Sequence, residues 1–431
     1  MYKTKHALNG LKQSSRAWEK ARGKVDKRNG YEISKREPAV ARKITKQKGK
    51  KYVTLRATHV DDTITTGEDM EERMRHIKAM KDEFSTRQEG PATNLLGVRV
   101  TYDYESGDIM LDQKEYLLNN REQFDERFEY RRTETPWPAT KKLLLKCDVP
   151  QNQEEKREAH KLPYQKLIGT MMWASEQTKQ EVSFYIRMLS TKLTMLWTVE
   201  HFEIALRLYD FMITSLEWAP GIRYSTKNIG PHRVNELVGY SDASWTGTDG
   251  RHTYTHLEDE YIMPEKGSID AEEIQLRLQY STYGYFTMMN GGVISKKCKG
   301  YPFIIETVAE AEMIALNEAS KEIIHQRAMV EFMTYKEIKA PTKIWVDNQA
   351  TYQHARSGKI THQNKHIARK HLAFVERCEE GIIQVFWVQS NDNPADLYTK
   401  IMFDAEKFKR FSKIILGWEP FKGDFSHPKN K

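Results

Sequence analysis

The feature that most constrains this chain is an aspartate set inside an apolar strand pattern. Residues 237–246 read LVGYSDASWT, and Tyr240 and Ala243 place Asp242 in mid-element. Strand propensity and burial both disfavour a carboxylate there, so the fold must offset its charge. Strand-like runs follow at 283–289 and 291–297, then a long helix at about 308–333 and a strand at 342–347. Helices around 349–357 and 365–379, a strand at 382–389 and a helix near 403–416 complete the series. Three strands, a helix and then strand–helix alternation predict an α/β layer built on a mixed sheet.

Three more carboxylates stand at telling positions. Glu312 lies in the first turns of the long helix, whose Ala311, Ala315, Leu316, Ala319 and Ile323 make one apolar face. Asp347 ends the strand TKIWVD, and Asp396 follows the turn NDNP at the start of a helix. Hard oxygen ligands from separate elements suit magnesium. Two such ions about 4 Å apart activate a water and stabilise a leaving oxygen in phosphodiester cleavage. Singly, each residue has a plainer reading, Asp347 and Asp396 as helix N-caps. The set of four, in this order of elements, favours metal.

The front half carries a second acidic feature. The alternating, β-branched run KYVTLRATHV (51–60) leads into Asp61-Asp62, and a further alternation follows at Thr63–Thr66. A turn that projects two adjacent carboxylates is unfavourable without a cation, although an ordinary acidic turn is the plain alternative. Residues 1–30 read as a basic loop and a polar helix stopping at Asn29-Gly30, and 68–84 as a charged helix. A hairpin is predicted over 95–113, turning at Ser106-Gly107-Asp108. The stretch 133–160, with Pro136, Pro138 and Pro150 before QNQEEKREAH, reads as a linker ahead of helical stretches at 161–190 and 198–216. Residues 251–280 are charged, interrupt two strands that should form a hairpin, and read as an insertion.

Composition narrows the class. Apolar residues at 39% and aromatics at 11% supply enough burial for globular domains rather than disorder. Lys plus Arg exceed Asp plus Glu by 68 to 60, a basic excess that suits a polyanionic partner without demanding one. Cys147, Cys298 and Cys378 form no CxxC pair, so neither a disulfide framework nor a zinc site is predicted, and a reducing compartment is. The first residues have no signal-length apolar stretch, and no apolar run approaches the roughly 18 residues of a membrane helix. Cytoplasm or nucleus is the expected location.

A family resemblance adds to this reading. The series GYSDASW, STYGYFTMMNGGVISKK, ETVAEAEMIAL, WVDNQA, NKHI and NDNPADLYTK resembles, motif by motif and in order, the ribonuclease H domain of copia-type retrotransposons. The resemblance implies two Mg2+ ions, with Mn2+ as a substitute, held by Asp242, Glu312, Asp347 and Asp396 as the catalytic carboxylates. Glu310 competes with Glu312; Glu312 is preferred because related ribonucleases place the metal-binding Glu three residues before a small helix residue, here Ala315. The implied substrate is RNA in an RNA–DNA hybrid, recognised by A-form shape and the 2′-hydroxyl. Lys296, Lys297 and Lys299, with Lys365, His366 and Arg369, are candidate phosphate contacts, solvated surface being the plain alternative.

Earlier in the chain ALNGLKQSSRAW, HVDDTITTG, NLLGVRV, DQKEYL, ETPWP and YQKLIGTMMWASEQTKQEVSF resemble the same family's reverse transcriptase. The resemblance makes Asp61 and Asp62 the metal pair of the palm and puts Lys12, Gln13 and Arg16 near nucleotide or template. Departures stand beside it: His59 where the family usually has Tyr, and Thr178-Lys179-Gln180-Glu181 in place of Thr-Arg-Pro-Asp. The sequence starts just before the Gly-Leu-Lys-Gln motif, without fingers or the first palm Asp, so independent polymerisation is not expected. The expected architecture is a truncated reverse-transcriptase palm and thumb (1–132), a connection (133–236), a ribonuclease H-like mixed sheet flanked by helices (237–402, with the 251–280 insertion) and a closing helix and tail (403–431). The expected activity is hydrolysis of RNA in RNA–DNA hybrids, with a fuller polyprotein or second subunit as a candidate partner; a decayed or co-opted remnant that at most binds nucleic acid is the rival.

Overall fold

The computed structural model describes residues 14–84, 86–124, 130–138, 150, 152–190, 197–244, 281–301, 305, 307–357 and 368–422. The chain divides into two compact units, Met1–Leu95 with Ile324–Lys339, and Leu96–Ile323 with Ala340–Lys431. Among the described residues no helix is long and apolar enough to cross a membrane.

In the first unit β1 (Glu32–Ile33), β2 (Val40–Gln47), β3 (Lys50–His59) and β4 (Asp62–Gly67) form an antiparallel sheet in that order. Helices α1 (Ser14–Arg28) and α2 (Met70–Phe84) accompany it. The β2–β3 hairpin closes on Lys48-Gly49, with φ of 48° and 78°, the two-residue turn whose twist matches its strands. The β3–β4 turn sets His59 opposite Asp62, so the two acidic residues sit at a hairpin tip, as expected. Both are exposed. Asp26 of α1, Arg56 of β3 and His76 of α2 are fully buried together, the carboxylate of Asp26 binding the Arg56 guanidinium and lying 3.2 Å from His76 Nε2. Strands β1 and β2 form where the sequence offered no clear pattern, because Arg42, Lys43 and Lys46 break the apolar alternation of β2.

In the second unit β5 (Val98–Tyr102) and β6 (Ile109–Asp112) are the expected hairpin, and β7 (Gly221–Tyr224) pairs antiparallel with β6. Helices α3 (Lys114–Arg121), α4 (Gln153–His160), α5 (Tyr164–Gln177), α6 (Ser183–Ser190) and α7 (Val199–Thr214) follow α/β packing around a shared core. The linker reading of 133–160 needs correction at its described residues. Trp137 is 1% exposed within that core, and α4 is capped by Asn152, whose side chain accepts from Glu154 N and Glu155 N. Prolines and charge had hidden both.

The main sheet comprises β8 (Val238–Ser244), β9 (Thr282–Met289), β10 (Gly292–Gly300), β11 (Thr342–Val346) and β12 (Ile383–Trp387), in the order β10-β9-β8-β11-β12. The first three are an antiparallel meander; β11 runs parallel to both β8 and β12. Helices α8 (Val308–Thr334), α9 (Gln349–Ser357) and α10 (Ala368–Glu379) make the crossovers, and α11 (Ala405–Ile415) closes the series. This is the mixed sheet flanked by helices that the sequence predicts. Tyr240 stacks between Phe286 and Trp345 at 4.9 and 5.2 Å, joining the core that holds Phe211, Tyr398 and Phe408. A second core sets Ile344 and Val346 against Ala315, Leu316 and Ala319 of α8. Strand alternation puts Val238, Tyr240 and Asp242 on one face, so Asp242 continues an aromatic layer rather than facing solvent.

Candidate metal centre

Asp242 of β8 is 1% exposed, and Glu312, in the first turns of α8, is 4% exposed. Asp347 follows directly on the C-terminal end of β11. One carboxylate oxygen from each of these three lies within 4.8 Å of the others. They border an open pocket of about 510 Å³ with Ser244, Asn348, Ser390 and Lys400 on its walls. Glu312, not Glu310, belongs to the cluster.

Neighbouring asparagines remove the helix-capping alternative. Asn348 Oδ1 accepts from Thr351 N at 2.9 Å, which frees Asp347 from capping α9. Asn393 Oδ1 likewise caps the short 3-10 turn Pro394–Tyr398, accepting from Ala395 N at 3.1 Å, while its Nδ2 donates to Ser241 O. That second bond ties the turn carrying Asp396 to β8. Gly284, opposite Asp242 in the register, lets the turn lie close, because a Cβ there would collide with Tyr398.

Asp396 is buried but reaches the others through a cation. Lys400 Nζ donates to Asp396 Oδ1 at 2.6 Å and to Asp242 Oδ1 at 3.3 Å, and Lys407 Nζ lies 3.4 Å from Asp396 Oδ2. The Thr399 hydroxyl donates to Asp242 Oδ2. Thus both oxygens of Asp242 and both of Asp396 are engaged. Glu312 Oε2 and Asp347 Oδ1, in contrast, are buried atoms without a hydrogen-bond partner. Orphaned carboxylate oxygens from separate elements fit a hard divalent cation, which supplies the missing partner.

Electrostatics agrees with that reading. Burial, reinforced by Asp396 and Asp347, pushes the Asp242 carboxyl up to about 7 against the pull of Lys400 and Thr399. Burial, then Asp242 and Asp347, pushes Glu312 well above the usual carboxylate range. Although burial opposes its charge, the Asp242 and Asp396 carboxylates raise Lys400 above the ordinary lysine value. Without a further cation the cluster stores like-charge repulsion, as functional carboxylate sites do.

Other expected site residues are dispersed. Lys297 and Lys299 are exposed on β10, whereas Lys296 is tied to Glu176. Arg16 is exposed on α1, Arg369 lies within α10, and Lys12, Gln13, Lys365 and His366, like the 251–280 insertion, fall outside the described residues. Among the described residues Asp61 and Asp62 join no group of three possible ligands. Sequence reasoning missed Lys400, Thr399 and Asn393. The signal was present, since Lys400 stands four residues after Asp396 within NDNPADLYTK, a spacing that reads equally well as a solvated helical pair.

No family model matches the chain. Over 413 residues it is 23% identical to the retrovirus-related Pol polyprotein from transposon TNT 1-94 of Nicotiana tabacum, covering 96% of this chain and 28% of that one. The corresponding polyprotein from transposon RE1 of Arabidopsis thaliana is 24% identical over 420 residues, covering 96% of this chain and 25% of the relative. The chain therefore spans about a quarter of the length of these curated relatives. Among solved structures it resembles LC11-RNase H1 isolated from compost (TM-score 0.26, 11% identity, 38% of this chain and 94% of that one). The N-terminal RNase H domain of a Mycobacterium tuberculosis protein gives a TM-score of 0.25 at 11% identity, over 42% of this chain and 98% of the other. The match runs over 96% of this chain's length, and what the chain is similar to throughout is the retrovirus-related Pol polyproteins of plant transposons.

Proposed function

We propose that the chain hydrolyses the RNA strand of an RNA–DNA hybrid with divalent metal, Mg2+ or Mn2+, at Asp242, Glu312, Asp347 and Asp396. The observation that carries this reading is the pair of buried, unpartnered oxygens on Glu312 and Asp347 beside Asp242, within one open pocket. When bound, such a metal supplies Lewis-acid stabilisation of phosphodiester oxygens and an acidified water. The protein's own part is positional. Thr399 fixes the carboxylate plane of Asp242, Asn348 and Asn393 take over the capping that would otherwise occupy the acids, and Lys400 with Lys407 neutralises Asp396. Exposed Lys297 and Lys299 are proposed phosphate contacts, binding shape and charge rather than base sequence.

The same reading assigns 1–132 to a polymerase-derived part, 133–236 to a connection, 237–402 to the nuclease and 403–431 to its closing helix and tail, working in the cytoplasm or nucleus. Asp61 and Asp62 are its proposed second metal pair, with Arg16 near the nucleic acid. The test is Mg2+-dependent cleavage of a labelled hybrid by the full chain and by Asp347→Asn. Cleavage by the first alone supports the proposal. If neither cuts, it falls, and a remnant that at most binds nucleic acid takes its place.

A further inference from the structure

The charges in the pocket do not ask for two ions. Three carboxylates line it, Asp396 joins them through Lys400 as a fourth, and two ammonium groups, Lys400 and Lys407, already pair with these acids. Two negative charges remain if every group is ionised, which a single divalent cation balances. The distribution of free valence is equally uneven. On the side of Glu312 and Asp347 an oxygen of each lacks a partner. On the side of Asp242 and Asp396, Lys400 bridges the two carboxylates, Lys407 takes the outer oxygen of Asp396, and Thr399 takes the second oxygen of Asp242.

We propose that Lys400 is a resident cation that stands in for one of two metal ions, so that the chain free of nucleic acid binds a single divalent ion at Glu312, Asp347 and Asp242. This rests on the metal-site reading above and sharpens it. An ammonium is a compact point charge that donates to carboxylate oxygens much as a small cation accepts them, but it is covalently tethered and carries one charge instead of two. Lys400 therefore keeps Asp242 and Asp396 together without drawing a second ion between them. Its tether is short, four residues from Asp396, and its side chain is 41% exposed, so it can leave the bridge without unpacking the core. Lys400 acts as a positioning residue that sets metal stoichiometry.

The experiment counts Mn2+ bound by the full chain, by electron paramagnetic resonance of the free ion and by calorimetry, for wild type, Lys400→Met, Lys400→Arg and Asp347→Asn. One ion in wild type, two in Lys400→Met and one in Lys400→Arg is the expected result, with Asp347→Asn losing the tight site. Two ions in wild type overturn the role of Lys400 while leaving the metal site standing. One ion in both wild type and Lys400→Met overturns it as well. No binding by wild type overturns both this inference and the metal reading beneath it. Lys400→Gln replaces Lys400→Met should the latter fail a urea-unfolding check, and the same counts decide.

Discussion

Lys179 Nζ lies 2.8 Å from Glu181 Oε1 with both side chains fully buried. The ammonium also donates to Ala219 O at 3.1 Å and lies 5.9 Å from the centre of the Trp218 ring. In the family pattern these two positions are Arg and Asp, so the departure in this chain keeps the sign of each charge, shortening the base and lengthening the acid by a methylene. What looks in sequence like motif decay is, in the fold, an intact buried pair. Breaking such a pair strands one charge, so Lys179→Met or Glu181→Gln alone should cost about 3–5 kcal/mol, measured by urea unfolding. The double change Lys179→Met with Glu181→Leu should recover most of that loss. Equal loss in the double variant would mean that packing, not charge, dominates there.

Asp347→Asn removes one of the two unpartnered oxygens and one like charge from the cluster. Mn2+ affinity should fall by more than about 100-fold, beyond the scale on which outer-sphere partners act. Hybrid cleavage should be lost, and the metal-free chain should be no less stable than wild type in thermal unfolding. A loss of stability would assign Asp347 a structural role.

Protons and metal compete at this cluster. With Asp242 raised to about 7 by burial and its acidic neighbours, the folded state holds protons that the unfolded chain has released. Stability of the metal-free chain from this group is therefore greatest at low pH and declines as pH rises from the ordinary carboxylate value toward 7. Divalent ion affinity runs the other way, strengthening over the same window with proton release. Calorimetry in buffers of different ionisation enthalpy checks this; metal binding without proton uptake by buffer at pH 6 would contradict it.

His232 sets an opposite slope. Burial lowers it to about 4, and its Nε2 lies 3.1 Å from the Tyr240 hydroxyl with the ring edge-on to Trp345. A depressed folded value means that its contribution is intact above the unfolded value near 6.5 and is lost progressively as pH falls toward 4. The full difference is on the order of 3 kcal/mol. The difference between wild type and His232→Gln in urea midpoint should shrink across that window. A constant difference would remove His232 from the acid response.

Gly284→Ala tests how the turn bearing Asp396 is held. Its Cβ would meet Tyr398, so the turn must shift or the strand bend, at about 1–3 kcal/mol. Cleavage should drop along with stability, and a stabilised, fully active variant would show that the turn has slack.

The sequence by itself determined the order of elements and where along them the candidate acids stand. Alternation in GYSDASW, the apolar face of α8 and the run TKIWVD needed no tertiary information, because periodicity is a local consequence of backbone geometry. It preferred Glu312 to Glu310, and the fold groups Glu312 with Asp242 and Asp347. Tertiary structure alone decided which groups those acids meet. Whether Lys400 faces solvent or Asp242 depends on a strand more than 150 residues earlier, and whether Trp137 in a proline-rich stretch is buried depends on helices that follow it. Hydrogen-bond partners and burial belong to the assembled fold and not to any residue. The basic strand β2 and the inward lysine therefore escaped a reading in which charge means surface.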